Sequence, residues 1–184
     1  MSKPLAAVAA VLAPLFVLAA CGSESEPRTA EEVVAEAGKL EKPRPGQYET
    51  QVELLEFSVP GLPPKQAEQL RSMMGNVQEK ASSYCLTQAE ADKGFEDSIR
   101  KMTEGTGGMK CEFDKFDAGG GKLDAALSCT GGQGLNSTIT IDGTTGAEAS
   151  TMNVRMAQKA PMIPGGEVVM RMRMDSKRTG DCPA

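Results

Sequence analysis

Histidine and tryptophan are absent from the sequence, and only two tyrosines and five phenylalanines stand among its 184 residues. Without histidine there is no Ser-His or Cys-His nucleophile pair, no His-Glu-x-x-His zinc site and no imidazole general base. Paired carboxylates or a Ser-Lys arrangement are the remaining catalytic options, and no spacing marks out either. The expectation is a non-enzymatic chain that needs no cofactor or metal. Scarce aromatics leave the core to Met, Leu, Val and Ile. An excess of basic residues is also lacking: 20 Lys and Arg against 25 Asp and Glu give a formal charge of −5, which repels nucleic acid phosphates. No two cysteines have Cys-x-x-Cys spacing, which removes the redox and zinc motifs.

Long apolar runs are lacking too, with one exception. Met1-Ser2-Lys3 precedes an uncharged stretch from Pro4 to Ala20, the layout of a secretory signal. As a helix it would span roughly 25 Å, short of the ~30 Å hydrocarbon core of a bilayer. It ends in Leu18-Ala19-Ala20-Cys21, which resembles a bacterial lipobox: small residues fit the peptidase cleft and the Cys21 thiol takes up a diacylglyceryl group. Several acyl chains on one cysteine make a permanent anchor, whereas one chain binds only marginally. The expected partner is therefore a membrane, reached through the lipid on Cys21. Gly22 and Ser23 follow the cysteine, and with no aspartate there the resemblance to sorting signals implies the outer membrane, facing the periplasm. Cutting before Cys21 removes Lys3 and no acid, so −5 becomes −6.

Three segments follow: residues 1–20 as signal, 21–45 as lipidated cysteine, polar tether and short helix, and 46–184 as a folded domain. Gly22 to Pro27 is polar and acidic, suited to a solvated tether. Thr29 and Glu32 form a capping box ahead of Val33, Val34, Ala37 and Leu40, and Pro43 and Pro45 stop that helix. Tyr48, Thr50, Val52 and Leu54 alternate with polar residues as a strand does. Pro63 and Pro64 open a helix through Leu70, Met73 and Met74. Thr87 and Glu90 cap another that carries Ala91, Phe95, Ile99 and Met102 and ends at Gly105 to Gly108.

Beyond Met109 the pattern is strands parted by glycines: Lys110 to Asp117, Lys122 to Thr130, Leu135 to Ile141, Glu148 to Met156 and Glu167 to Lys177. The separators Gly119-Gly120-Gly121, Gly131 to Gly134 and Asp142-Gly143 are too short for parallel crossovers. The fold class is therefore α+β: an antiparallel meander of about five to seven strands packed against one or two helices. Gly119-Gly120-Gly121-Lys122 is a hairpin turn rather than a phosphate loop, because Leu123 stands where a hydroxyl residue is needed. Asn136-Ser137-Thr138 is a polar strand opening.

With Cys21 set aside, Cys85, Cys111, Cys129 and Cys182 form an even set, and in an exported chain they read as two disulfides. If Gly119 to Gly121 make a three-residue turn, counting outward from Ala118 and Lys122 sets Phe113 opposite Leu127 and Cys111 opposite Cys129. Leu123, Ala125 and Leu127 share the cysteines' face. Cys85 and Cys182 then pair by elimination. Gly46-Gln47-Tyr48-Glu49, Cys85-Leu86-Thr87, the separate Cys111 and Cys129 and the terminal Gly180-Asp181-Cys182 together resemble the domain-of-unknown-function 3617 family of small exported proteobacterial proteins, over about Pro45 to Cys182. Tyr48 stands where that family usually shows Trp. The resemblance implies no activity and carries over no site residue.

One pattern invites sharper chemistry. Met170, Met172 and Met174 alternate on the last strand, with Met152 and Met156 on the strand before and Arg171 and Arg173 facing away. Thioethers are soft ligands that select Cu(I), and they also line adaptable apolar pockets. Methionine equally fills a core that has few aromatics. Core packing, an apolar-ligand face and a Cu(I) site are the alternatives, and a carboxylate-dependent hydrolase is the rival from another class.

Overall fold

A computed structural model describes residues 27–78, 82–105, 108–161, 163 and 165–183. Its elements run α1 (Ala30–Ala37), β1 (Gly46–Ser58), α2 (Pro64–Gln78), β2 (Ser82–Leu86), α3 (Gln88–Lys93), α4 (Glu96–Glu104), β3 (Met109–Gly119), β4 (Lys122–Gly131), β5 (Asn136–Thr145), β6 (Ala149–Lys159) and β7 (Glu167–Gly180). All seven strands form one antiparallel sheet in the order β2-β1-β7-β6-β5-β4-β3. The expected meander is β3 to β7. β1 then closes onto β7, and β2 takes the outer edge. The strand β2 has no periodic signature, since Ser82-Ser83-Tyr84-Cys85-Leu86 lacks apolar alternation, and only Leu86 is less than exposed there.

Local chemistry sets the helix starts. The Thr29 amide donates to Glu32 Oε2 at 2.9 Å and the Glu32 amide to Thr29 Oγ1 at 3.3 Å, closing the box at the head of α1. The same pair of bonds joins Thr87 and Glu90 at α3. Both glutamates are held below the ordinary carboxylate range, first by the backbone hydrogen bond from their threonine. The single helix expected from Thr87 to Met102 is in fact two. Gly94 takes φ 59 and its amide returns to Glu90 and Ala91, so α3 ends there and α4 restarts at Glu96. The break turns Ile99 onto the sheet, where it is 2 % exposed.

Two departures from the expected β3–β4 hairpin cancel. Its turn has two residues: Gly119 pairs with Lys122, and Gly120 and Gly121 take φ 58 and 73. Positive φ at both central positions suits the twist of the flanking strands. That register alone would misalign the cysteines by one, but an irregularity between Phe113 and Lys115 restores it, and Cys111 meets Cys129. The bulge also flips parity, so Phe116 joins Phe113 on the inner face, their rings edge to face at 5.6 Å. Asp142-Gly143 is not a turn, because β5 continues to Thr145 and the chain reverses at residues 146–148.

The core lies over β3 and β4. Phe113, Phe116, Leu123, Ala125, Leu127 and the Cys111–Cys129 pair are covered by Val33, Ala37 and Leu40 from α1 and its exit turn, and by Ile99 from α4. Arg28 ties the chain ahead of α1 to the β3 edge: its amide donates to Phe113 O at 2.8 Å and Nη1 to Phe116 O at 2.7 Å. α2 lies beside β1, and no side chain from Pro64 to Ser72 is buried. Leu127→Ala, at a fully buried site, is expected to cost about 2–5 kcal/mol. Leu70→Ala on α2, where the side chain is 41 % exposed, should cost no more than about 0.5 kcal/mol. Urea unfolding of both variants checks that ranking.

Candidate functional site: a methionine-lined sheet face

The strand registers carry the core's apolar face across the sheet in three rows. Leu127, Ile139, Met156, Met170 and Phe57 lie side by side from β4 to β1, followed by Ala125, Ile141, Val154, Met172 and Leu54. The third row is Leu123, Gly143, Met152, Met174 and Val52. All five methionines of the alternating sequence pattern therefore share one face, with Met152 opposite Met174 and Met156 opposite Met170. A bulge in β1 between Leu54 and Glu56 brings Phe57 to this face and turns Leu55 outward, 42 % exposed. Gly143 is required by close backbone approach: a Cβ there would strike Thr151 O, with Met152 Sδ next at 2.8 Å. Phe57, Phe116 and Gly143 escape sequence reasoning, since period-two counting fails across a bulge and a glycine in a strand reads as a turn.

Coverage falls along these rows. Leu127 and Ala125 are buried under α1 and α4, whereas Ile139, Ile141, Val154 and Met156 are half-buried. Met152, Met172 and Met174 are half-buried, and Met170 is 7 % exposed. Met152 and both isoleucines pack against the core. The methionine end is thus the sparsely roofed continuation of a well-covered core. Chemically it offers polarizable, flexible thioethers beside branched aliphatics and one phenyl ring. Among the described residues no group of three or more His, Cys, Asp or Glu is placed to hold a metal ion.

The other sequence landmarks meet elsewhere, at the junction of β2, β1 and β7. Gln47 pairs with Cys85 on one side and Gly180 on the other, and Cys85–Cys182 bridges across β1 with Cα atoms 5.5 Å apart. Gly46, at φ 147, has no room for a side chain: a Cβ would strike the Arg178 guanidinium and Gly180 O. Arg178 Nε donates to Pro45 O at 2.8 Å, and its Nη2 pairs with Asp181. Tyr48, 4 % exposed, stacks on Tyr84 at 5.6 Å, with its hydroxyl 2.8 Å from Arg44 O and 3.0 Å from Ala147 O. Cys111–Cys129 staples the core side, Cα to Cα 4.0 Å. Cys21 lies outside the described residues.

Outside the caps, the shifted carboxylates sit in surface pairs. Asp175 is lowered first by its hydrogen bond from Arg173 Nε at 2.8 Å and then by Thr151. Glu36 is lowered first by Lys39, 2.6 Å away.

A family model described as a protein of unknown function (DUF3617) matches residues 43–182. No curated protein and no solved structure matches the chain.

Burial pushes the Tyr48 phenol above its ordinary value of 10.0, with the facing Tyr84 adding to the effect. The folded state thus holds that proton more tightly than the unfolded chain. The associated stability is fully present below pH 10.0 and is lost as the pH rises through the folded value. Tyr48→Phe should lose about 0.5–1.5 kcal/mol at neutral pH from the missing hydrogen bond. It should also show a shallower alkaline decline than the parent, read from urea midpoints across that range.

Proposed function

The chain belongs to the DUF3617 family, and from that premise we propose that it is a lipid-anchored, non-enzymatic domain of the bacterial envelope that binds an apolar ligand on its methionine-lined face. The carrying observation is the gradient of cover in two of the three rows: those buried at Ala125 and Leu123 are half-buried at Val154 and Met172 and at Met152 and Met174, while in the Leu127 row Met170 stays buried. A face left partly roofed by a loosely packed helix can admit an acyl-like chain, and flexible thioethers adapt to its shape.

The anchoring half of the proposal rests on the Leu18 to Cys21 motif behind an apolar run. Two disulfides support export, because such bridges persist in oxidising compartments. The tether leads to Arg28 on the β3 edge. With six residues between Cys21 and Arg28, the lipid and the sheet lie at most about 25 Å apart along the chain. The absence of an aspartate after Cys21 supports the outer membrane. A second reading, Cu(I) binding, is favoured by the direct pairing of Met152 with Met174 and Met156 with Met170.

Cys21→Ser should leave unprocessed or non-acylated protein. Mass spectrometry that finds a mature terminus other than acylated Cys21 in the parent would remove the anchor. For the face, the triple variant Met170→Leu, Met172→Leu, Met174→Leu keeps volume and should cost less than about 1.5 kcal/mol per site. Titration of parent and variant with a fluorescent fatty acid should give saturable binding in both, since leucine preserves an apolar face. Tight Cu(I) binding by the parent alone would select the thioether reading instead, and no binding of either probe would leave the methionines as packing only.

A further inference from the structure

The sheet's opposite face carries an arrangement that the apolar site does not use. Arg155 on β6 and Arg171 on β7 are direct cross-strand partners. Side chains at such positions start roughly 4.5–5.5 Å apart, and like charges placed so repel. Neutralisation is sparse. Arg171 reaches only Glu56, at 3.9 Å, and Arg155 has no ion pair among the described residues. By contrast Arg173, one row along, is held by Asp175 at 2.8 Å. Thr140 on β5 faces Arg155 from the other side, so one row reads Glu56, Arg171, Arg155, Thr140 across four strands. These residues line a shallow groove of about 310 Å³ together with Asp142, Asn153 and the bulged Leu55.

We infer that the Arg155–Arg171 pair is an oxyanion site that takes a phosphate group. Guanidinium forks bind phosphate through paired N–H donors. A planar carboxylate is satisfied by a single fork, whereas a tetrahedral phosphate group holds its free oxygens, two in a diester and three in a monoester, in different directions, so that it can bridge both arginines, and a monoester can also accept from Thr140. Such an anion turns the cross-strand repulsion into attraction. Glu56 is the built-in competitor, occupying one side of Arg171, and Asp142, which lines the same groove, has one carboxylate oxygen engaged by Asn153 at 2.9 Å rather than by either arginine. The mature charge of −6 and the flanking Glu53 and Glu56 limit the site to a single compact group rather than a polyanion.

Two sources share this chemistry: a free phosphate compound and a phospholipid headgroup. The test uses the Cys21→Ser chain, exported behind a signal that is cleaved without lipidation, so that the anchor itself cannot hold vesicles. Inorganic phosphate should raise its thermal midpoint saturably, beyond sodium chloride at the same ionic strength. Arg155→Gln and Arg171→Gln should each weaken this by about tenfold or more, and Glu56→Gln should tighten it. Cosedimentation with phosphatidylglycerol vesicles, lost in the arginine variants, would place the phosphate on a lipid; a phosphate effect without vesicle capture would place it in solution. A midpoint that follows ionic strength alone, or a phosphate effect that survives both arginine substitutions, overturns the site.

Discussion

The pairing of β1 with β7 is the contact on which the rest of the sheet depends. It joins segments more than a hundred residues apart, as in the 3.0 Å bond from Thr50 to Ser176. Closing so long a loop costs entropy before any strand contact repays it. Cys85–Cys182, with a separation of 97 residues, removes that freedom from the unfolded chain and is worth about 4.7 kcal/mol on loop-entropy grounds. Gly46, Tyr48 and Arg178 then lock the same end by close approach, burial and hydrogen bonding. Without β1, the methionine strand β7 would be an edge, open to pairing with other chains.

Because β7 is interior, the inner face runs unbroken from Phe113 to Phe57, yet the helices do not roof it evenly. α1 and α4 cover β3 and β4, and Phe113 and Phe116, with Phe95 packed against the same cluster, help fill that end. Beyond β5 the residues are Val52, Leu54, Phe57, Val154 and the five methionines, all half-buried except Met170, beside a helix with no buried side chain among Pro64 to Ser72. The scarcity of aromatics, which points to a methionine-filled core, thus has an uneven outcome. Rigid side chains pack where helices press down, and flexible thioethers line the part left sparsely covered. That asymmetry makes the methionine end a candidate for binding while the β3–β4 end serves stability.

Much of this architecture is legible in the residues alone. The strands from β3 to β7, both capping boxes and the two cysteine pairings follow from periodicity, cap chemistry and counting. The count for Cys111 and Cys129 reaches the right partner through two compensating departures, a shorter turn and a bulge, neither of which leaves a periodic signature. Phe116 shows the cost of that blindness: by alternation it belongs outside, and the bulge puts it in the core. Gly94 and Gly143 show another limit. Glycine marks a break, a turn or a close approach alike, and only its neighbours, an interrupted helix in one case and the Thr151 carbonyl in the other, decide which.

Which residues alternate, where the capped helices α1 and α3 begin and which catalytic chemistries lack their residues are all set by short-range spacing or composition, and the 97-residue Cys85–Cys182 link then follows by elimination. Only folding sets β1 beside β7, β2 on its flank, α1 and α4 over one half of the face, and Arg155 opposite Arg171. Those outcomes depend on long-range pairing and on which surfaces helices happen to bury, and periodicity within a segment carries no information about the segment that will lie next to it.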